Sequence, residues 1–226
     1  MEKREKLPFK EWLENTWYHY KWLIIFLALC IVFVSLSFTQ CSQNESIDVK
    51  LFHVGPMTIS DAAAQQLKST IADFAEDCNG DGEVHVDLLD ITVNKFGNES
   101  AGIDPVNYDH NNKAMQRFQV EVRAGKAFLY ALDKEYFDIC VEEGVLTPFS
   151  EIFDDSEMPE NVIDGYGISI SDLDAYKLPG LSSVPDTAIL CLRRSPEDDE
   201  LSYGRTEEGW EGNKNTFINI IKYKCD

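Results

Sequence analysis

Positive charge is scarce in this chain. Twenty lysines and arginines stand against 40 aspartates and glutamates in 226 residues, a formal net charge of -20. Phosphate contacts need clustered Lys and Arg, so a nucleic-acid partner is excluded. Histidine is sparse as well. His19, His53, His85 and His110 form no HExxH or other paired spacing, which argues against zinc hydrolysis. There is no GxSxG for a nucleophile elbow and no GxxxxGKS/T for a phosphate loop. Six cysteines are too few for a disulfide-stapled miniature fold, and no CxxC or similar spacing marks a metal framework. Internal repeats and low-complexity tracts are missing. What is present suits a folded protein: 44% hydrophobic and 12% aromatic residues, in a length that allows one ordinary domain plus a short extra element.

The extra element is Trp22–Phe38, WLIIFLALCIVFVSLSF, a run without charge. As a helix it spans roughly 26 Å at about 1.5 Å per residue, close to the hydrocarbon thickness of a bilayer. Core helices are amphipathic, whereas this run is apolar all round. The reading is an uncleaved transmembrane helix over 22–38. Its competitor is a cleaved signal peptide, for which Ser35-Leu36-Ser37 has the small-x-small form. Lys3, Arg4, Lys6, Lys10 and Lys21 precede the run, and no Lys or Arg follows until Lys50. Positive charge stays on the cytoplasmic side. Residues 1–21 are therefore expected inside, 39–46 as a polar linker, and 47–226 as an extracytoplasmic domain. Trp12, Trp17, Tyr18, Tyr20 and Trp22 suit the headgroup layer. The expected location is the cell membrane, single-pass, with the lipid bilayer as the first partner.

Of the 40 acids and 20 bases, four and five lie in residues 1–38, which leaves 36 and 15 beyond and a net charge of -21 outside. That surplus keeps the domain soluble and repels an anionic surface. Cys41, Cys78, Cys140, Cys191 and Cys225 lie outside; Cys140 and Cys191 sit in apolar runs and read as buried small hydrophobes, and one disulfide is allowed whose pair the sequence does not choose.

The pattern then alternates between periods of two and 3.6. Ile47–Val54 reads as a strand with Asp48 and Lys50 on its polar face. Ser60 caps a helix carrying Ala64, Leu67, Ile71, Phe74 and Ala75. Val84–Val93 is a second strand, and Asn94–Asn112 a long loop. Met115, Phe118 and Val122 mark a helix ending near Gly125. The continuous apolar run Ala127–Leu132 predicts a strand covered on both faces. Asp133 caps a further helix that ends at Gly144. Residues 148–185 are irregular, with a short strand at Ile168–Ile170. Ala188–Leu192 is a buried strand, Ser195–Gly212 a loop, and Asn213 the cap of a last helix with Phe217, Ile220 and Ile221. Strands alternating with helices predict a single-lobe layered α/β domain with a largely parallel sheet.

That order resembles one lobe of an extracellular solute-binding protein. The resemblance rests on Ala124–Pro148: the apolar strand Leu129 to Leu132, Asp133, the pair Tyr136 and Phe137, then Gly144, Leu146 and Pro148. It covers roughly Ile47 to Phe149. Family members have two lobes with solute bound between them, and some 188 outer residues do not readily supply two, so no ligand residue is carried over. The N-terminal KEWLENTWYHYKW also looks like the anchors of uncharacterised single-pass Gram-positive bacterial membrane proteins.

The sharpest local motif is Asp77-Cys78-Asn79-Gly80-Asp81-Gly82-Glu83-Val84, the opening of a calcium loop. Alternate positions turn their side-chain oxygens inward around one ion, and Gly82 permits the sharp turn. Asp77, Asn79 and Asp81 are the candidate ligands, with the carbonyl of Glu83. The twelfth position holds Leu88 where an EF-hand has Glu, so Asp87 or Asp90 would complete the shell. The competing reading is a plain Asx/Gly turn between a helix and a strand. Asp172-Leu173-Asp174 reads as a surface acidic turn before it reads as a metal-carboxylate pair. Asn44 and Asn98 fit the glycosylation sequon. With no catalytic motif, the function expected is non-enzymatic binding of an unidentified small molecule or protein. The alternative is a structural or accessory subunit of a membrane complex with no small-molecule ligand.

Overall fold

The computed structural model describes residues 17–23, 25–27, 29–32, 47–93, 105–198 and 205–225. The chain divides into two units, Met1–Glu45 and Ser46–Asp226. The expected linker at 39–46, Cys41, the sequons at Asn44 and Asn98 and the stretch 33–38 of the expected span lie outside the described residues.

In the first unit the described residues 17–32 are helical (α1). The apolar side chains of Trp22, Leu23, Ile25, Phe26, Leu27, Leu29, Ile31 and Val32 are all exposed. Among the described residues no helix is long and apolar enough to cross a membrane.

The second unit is a mixed α/β domain. Its elements run β1 (Val49–Gly55), α2 (Asp61–Ala72), β2 (Val86–Thr92), α3 (Pro105–Ala124), β3 (Leu129–Leu132), α4 (Lys134–Glu142), α5 (Phe149–Ile152), β4 (Val162–Ile163), β5 (Gly167–Ser169), three 3-10 turns between Ile170 and Ser183, β6 (Ile189–Leu192) and α6 (Glu207–Lys222). The six strands lie in the order β2-β1-β3-β6-β5-β4. β1 pairs in parallel with β2 and β3, from Val49 opposite Val86 and Leu51 opposite Leu129. β6 runs antiparallel to β3 and β5, and β4 antiparallel to β5. The expected largely parallel sheet is therefore parallel only over β2-β1-β3. Parallel pairing needs a crossover helix, and no helix longer than one turn stands between α4 and β6.

Each face of the sheet buries its own core. Val49, Leu51, Leu129 and Ala131 point to one face, against Leu67 and Ile71 of α2 and Phe217 and Ile220 of α6. Phe52, Val54, Tyr130 and Leu132 point to the other, against Phe118 and Val122 of α3 and Phe137 and Cys140 of α4. The alternation follows from the period of two in a strand. A fully buried Leu67 or Ile71 contributes about 1.5–3 kcal/mol. Ser60 caps α2 as its sequence predicts, its hydroxyl accepting from the Ala63 N–H.

Two helices begin earlier than their periodicity suggests. α3 starts at Pro105, where the missing N–H costs nothing because first-turn amides have no partner in the helix. α6 starts at Glu207 under a Thr206 cap that accepts from Gly209 N–H. Asn213, read as a cap, lies buried inside that helix and donates to the carbonyls of Asp48 and Gly209. Gly212 is there for space: a Cβ at that position would lie 2.1 Å from Cys78 Sγ.

Candidate functional site

The loop between α2 and β2 holds the candidate metal residues. Asp77 folds the loop around its own carboxylate. Its Oδ1 accepts from the N–H groups of Asn79 at 3.2 Å and Gly80 at 2.6 Å, and its Oδ2 from Gly82 at 2.8 Å. Asn79 Oδ1 accepts from Asp81 N–H at 2.8 Å, and Asp81 Oδ1 from Glu83 N–H at 3.0 Å. Gly80 and Gly82 stand at φ 74° and 93°, the left-handed region that a side chain resists. The amides hold Asp77 below the usual carboxylate range, the Gly82 bond first.

Asp77, Asn79 and Asp81 are thus brought together, on consecutive Asx turns. The Asp87 carboxylate and the Glu83 side chain are not; the expected Glu83 donor is its carbonyl. The Glu83 carboxylate is 80% exposed and stands 3.9 Å from His85 Nε2. Asp87 lies on β2 and accepts from Lys68 Nζ at 3.2 Å. Asp90 is also directed elsewhere, to His53 and to the Ile59 N–H. Among the described residues no group of three or more His, Cys, Asp or Glu side chains is placed to hold a metal ion.

What fixes this loop is a residue that strand periodicity assigns to solvent. Asp48 is 5% exposed. Its Oδ1 accepts from Cys78 N–H, Asn79 N–H and Asn79 Nδ2 at 3.0 to 3.2 Å, and its Oδ2 from His85 N–H at 2.8 Å. Four donors answer one buried carboxylate, which is how such a group survives away from water. The alternation of Ile47, Val49 and Leu51 misplaces Asp48 because β1 begins only at Val49.

A second polar group lies near the carboxyl ends of the parallel strands. His53, fully buried in β1, places Nδ1 2.7 Å from Asp90 Oδ1, while Asp90 Oδ2 accepts from Ile59 N–H at 2.9 Å. Among the described residues His53 Nε2 has no hydrogen-bond partner. The crossovers through α2 and α3 run on opposite faces, so the chain order reverses between β1 and β3. In open α/β sheets, ligand crevices form at such a switch point. Asp133, 4% exposed, follows β3 there and donates its N–H to Val54 O at 2.9 Å.

Asp172 and Asp174 sit on 3-10 turns. Asp174 accepts from Lys177 Nζ at 2.7 Å, which lowers its pKa, and this pair occupies the surface as an ordinary ion pair. Cys140 and Cys191 are buried as expected, with unbonded thiols; desolvation pushes Cys140 up to about 12. Among the described residues Cys30, Cys78 and Cys225 are free too. Comparison with protein-family models, curated proteins and solved structures finds no match.

Proposed function

We propose that the chain is a single-pass membrane protein that displays its acidic α/β domain outside the cell, where the domain binds a ligand or a partner without catalysing a reaction. The observation that carries this reading is α1. Eight of its apolar side chains, from Trp22 to Val32, are between 41% and 78% exposed. Such a surface is stable in hydrocarbon and costly in water. The lysine and arginine excess before it sets the N-terminus inside. The β2-β1-β3 switch point supports a binding role of the kind the solute-binding resemblance implies. Protease added to intact cells is expected to remove the domain and to spare about the first 20 residues. Protection of the domain until lysis would refute the orientation.

The Asp77 loop belongs to the same reading as a weak calcium site. Asp77, Asn79 and Asp81 supply side-chain oxygens and Glu83 a carbonyl, a donor set suited to a hard cation. With only two carboxylates gathered, its affinity falls in the millimolar range of extracellular modules.

A further inference from the structure

β2 is an edge strand of seven residues, and no described strand pairs with its outer side. The register with β1 fixes which groups are free. Val93 N–H reaches Gly55 O and Val49 N–H reaches His85 O, so the odd-numbered residues of this stretch face β1. The N–H and C=O groups of Val86, Leu88 and Asp90 therefore turn outward. Among the described residues the Thr92 carbonyl is covered, by His110 Nε2 at 3.1 Å. An open edge of this kind is a template for one more strand.

Beside this edge runs a groove of about 590 Å³, between β2 and the outer face of α3. Leu89, Ile91 and Val120 give it an apolar floor, and three cations, Lys50, Lys113 and Arg117, line it against one carboxylate, Glu121. Val120 is 64% exposed. Three cations in one groove stand out in a domain with a net charge of -21. The carboxylates of β2 are already engaged, Asp87 by Lys68 and Asp90 by His53 and Ile59 N–H. Lys113 is paired with Asp109 and Lys50 with Glu121, the latter at 3.8 Å. Arg117 has no ion-pair partner among the described residues, although its fork of five donors is made for a carboxylate.

Spacing sets the chemistry of the occupant. Lys113 and Arg117 are one helical turn apart, about 6 Å along α3. Two residues of an extended strand span about 6.6 Å. Alternate side chains of a strand laid on β2 would meet successive turns of α3, so carboxylates at every second position face Lys113 and Arg117. We propose that β2 and α3 form a docking groove for an extended, acidic peptide segment of a partner protein, which adds as a seventh strand to the sheet. This rests on the partner-binding reading above and names the partner's chemistry.

The test uses the full-length chain in a detergent with uncharged headgroups and a labelled peptide, Thr-Val-Glu-Val-Glu-Val-Thr, followed by fluorescence polarisation. Saturable micromolar binding is expected, weakening with salt. Arg117→Glu, a substitution on an exposed helix face, is expected to weaken it about tenfold or more while the melting temperature stays put. Methylating alternate peptide nitrogens is expected to abolish binding, because it removes the donors that the edge requires. A peptide with Lys in place of Glu should not bind. Equal binding of the methylated peptide, equal binding by Arg117→Glu, or no saturable binding would each overturn the proposal. So would dimerisation of the chain that Arg117→Glu abolishes, since the edge would then belong to a second copy. The protease test of orientation is unaffected by any of these results, so the two readings fail separately.

Discussion

In the β2-β1-β3 half of the sheet, each strand is followed by a helix that covers it. In the β6-β5-β4 half, strands are two to four residues long and are joined by tight turns and 3-10 turns. The first half is held by apolar side chains in register. The second buries apolar side chains too, among them Ile168, Ile189, Leu190 and Leu192, and is closed in addition by polar side chains that reach backbone carbonyls. Arg193 O accepts from Thr147 Oγ1 at 2.9 Å and from Trp210 Nε1 at 2.8 Å, and the Arg193 guanidinium donates to Tyr130 Oη at 2.7 Å. Tyr176 Oη closes the 3-10 region on Val184 O at 3.1 Å. Short strands offer little area each, so specific polar contacts add to apolar burial in deciding where they sit.

The largest effect is therefore expected at Arg193, which is fully buried. Arg193→Ala removes the donor to Tyr130, whose hydroxyl burial keeps protonated, and opens a cavity. A loss of about 2–5 kcal/mol, the range of large-to-small core truncations, is expected in urea unfolding with an unchanged m-value. A loss under about 1 kcal/mol would show that the antiparallel half does not depend on this contact. Next is Asp48→Ala, which strands the four donors that Asp48 accepts. About 2–4 kcal/mol should be lost, with faster hydrogen exchange at the Cys78 and His85 amides. Unaltered exchange there would mean that the loop holds its shape without its clamp.

These two residues also show where sequence reading stops. β1, the Ser60 cap and the Leu129–Leu132 strand follow from periodicity and capping chemistry, which are local. Asp48 and Arg193 take their roles from partners 17 to 165 positions away, which no local pattern encodes. The early start of α6 had a visible signal: Thr206 followed by Glu207 and Glu208 is a cap with acids in the first turn. Gly209, Gly212 and Asn213 obscured it, because the close approach of Cys78 that requires Gly212 appears only in the fold. The start of α3 at Pro105 was hidden because Val106 and Tyr108 are followed by five polar residues, Asp109 to Lys113, which interrupt the apolar period. The candidate loop was legible down to its Asx turns; the direction of Asp87, toward Lys68, was not.

Smaller effects sharpen the comparison. Thr206→Ala should cost about 1 kcal/mol through the lost cap of α6, read from the shift in urea midpoint. A neutral result would place the stability of α6 wholly in its buried stripe. Asp77 has a depressed pKa when folded, so its contribution is present at neutral pH, above its ordinary value of 3.8, and fades as pH falls through the lower folded value. Asp77→Asn should flatten that acid limb in a pH series of melting temperatures; an unchanged limb would remove Asp77 from the account. Smallest is calcium. Added at millimolar levels, it should raise the melting temperature of the native chain and not of Asp81→Ala. Equal responses would reduce the effect to screening of the -21 surface and leave the loop as a turn.

The central claim, an apolar anchor with the α/β domain outside, is tested most directly at Cys225, which is exposed near the C-terminus. A membrane-impermeant maleimide applied to intact cells is predicted to label the chain, and Cys225→Ser should lose the part of the label that maps to the C-terminal peptide. Labelling of that peptide only after the cells are lysed would place the domain inside and contradict the account.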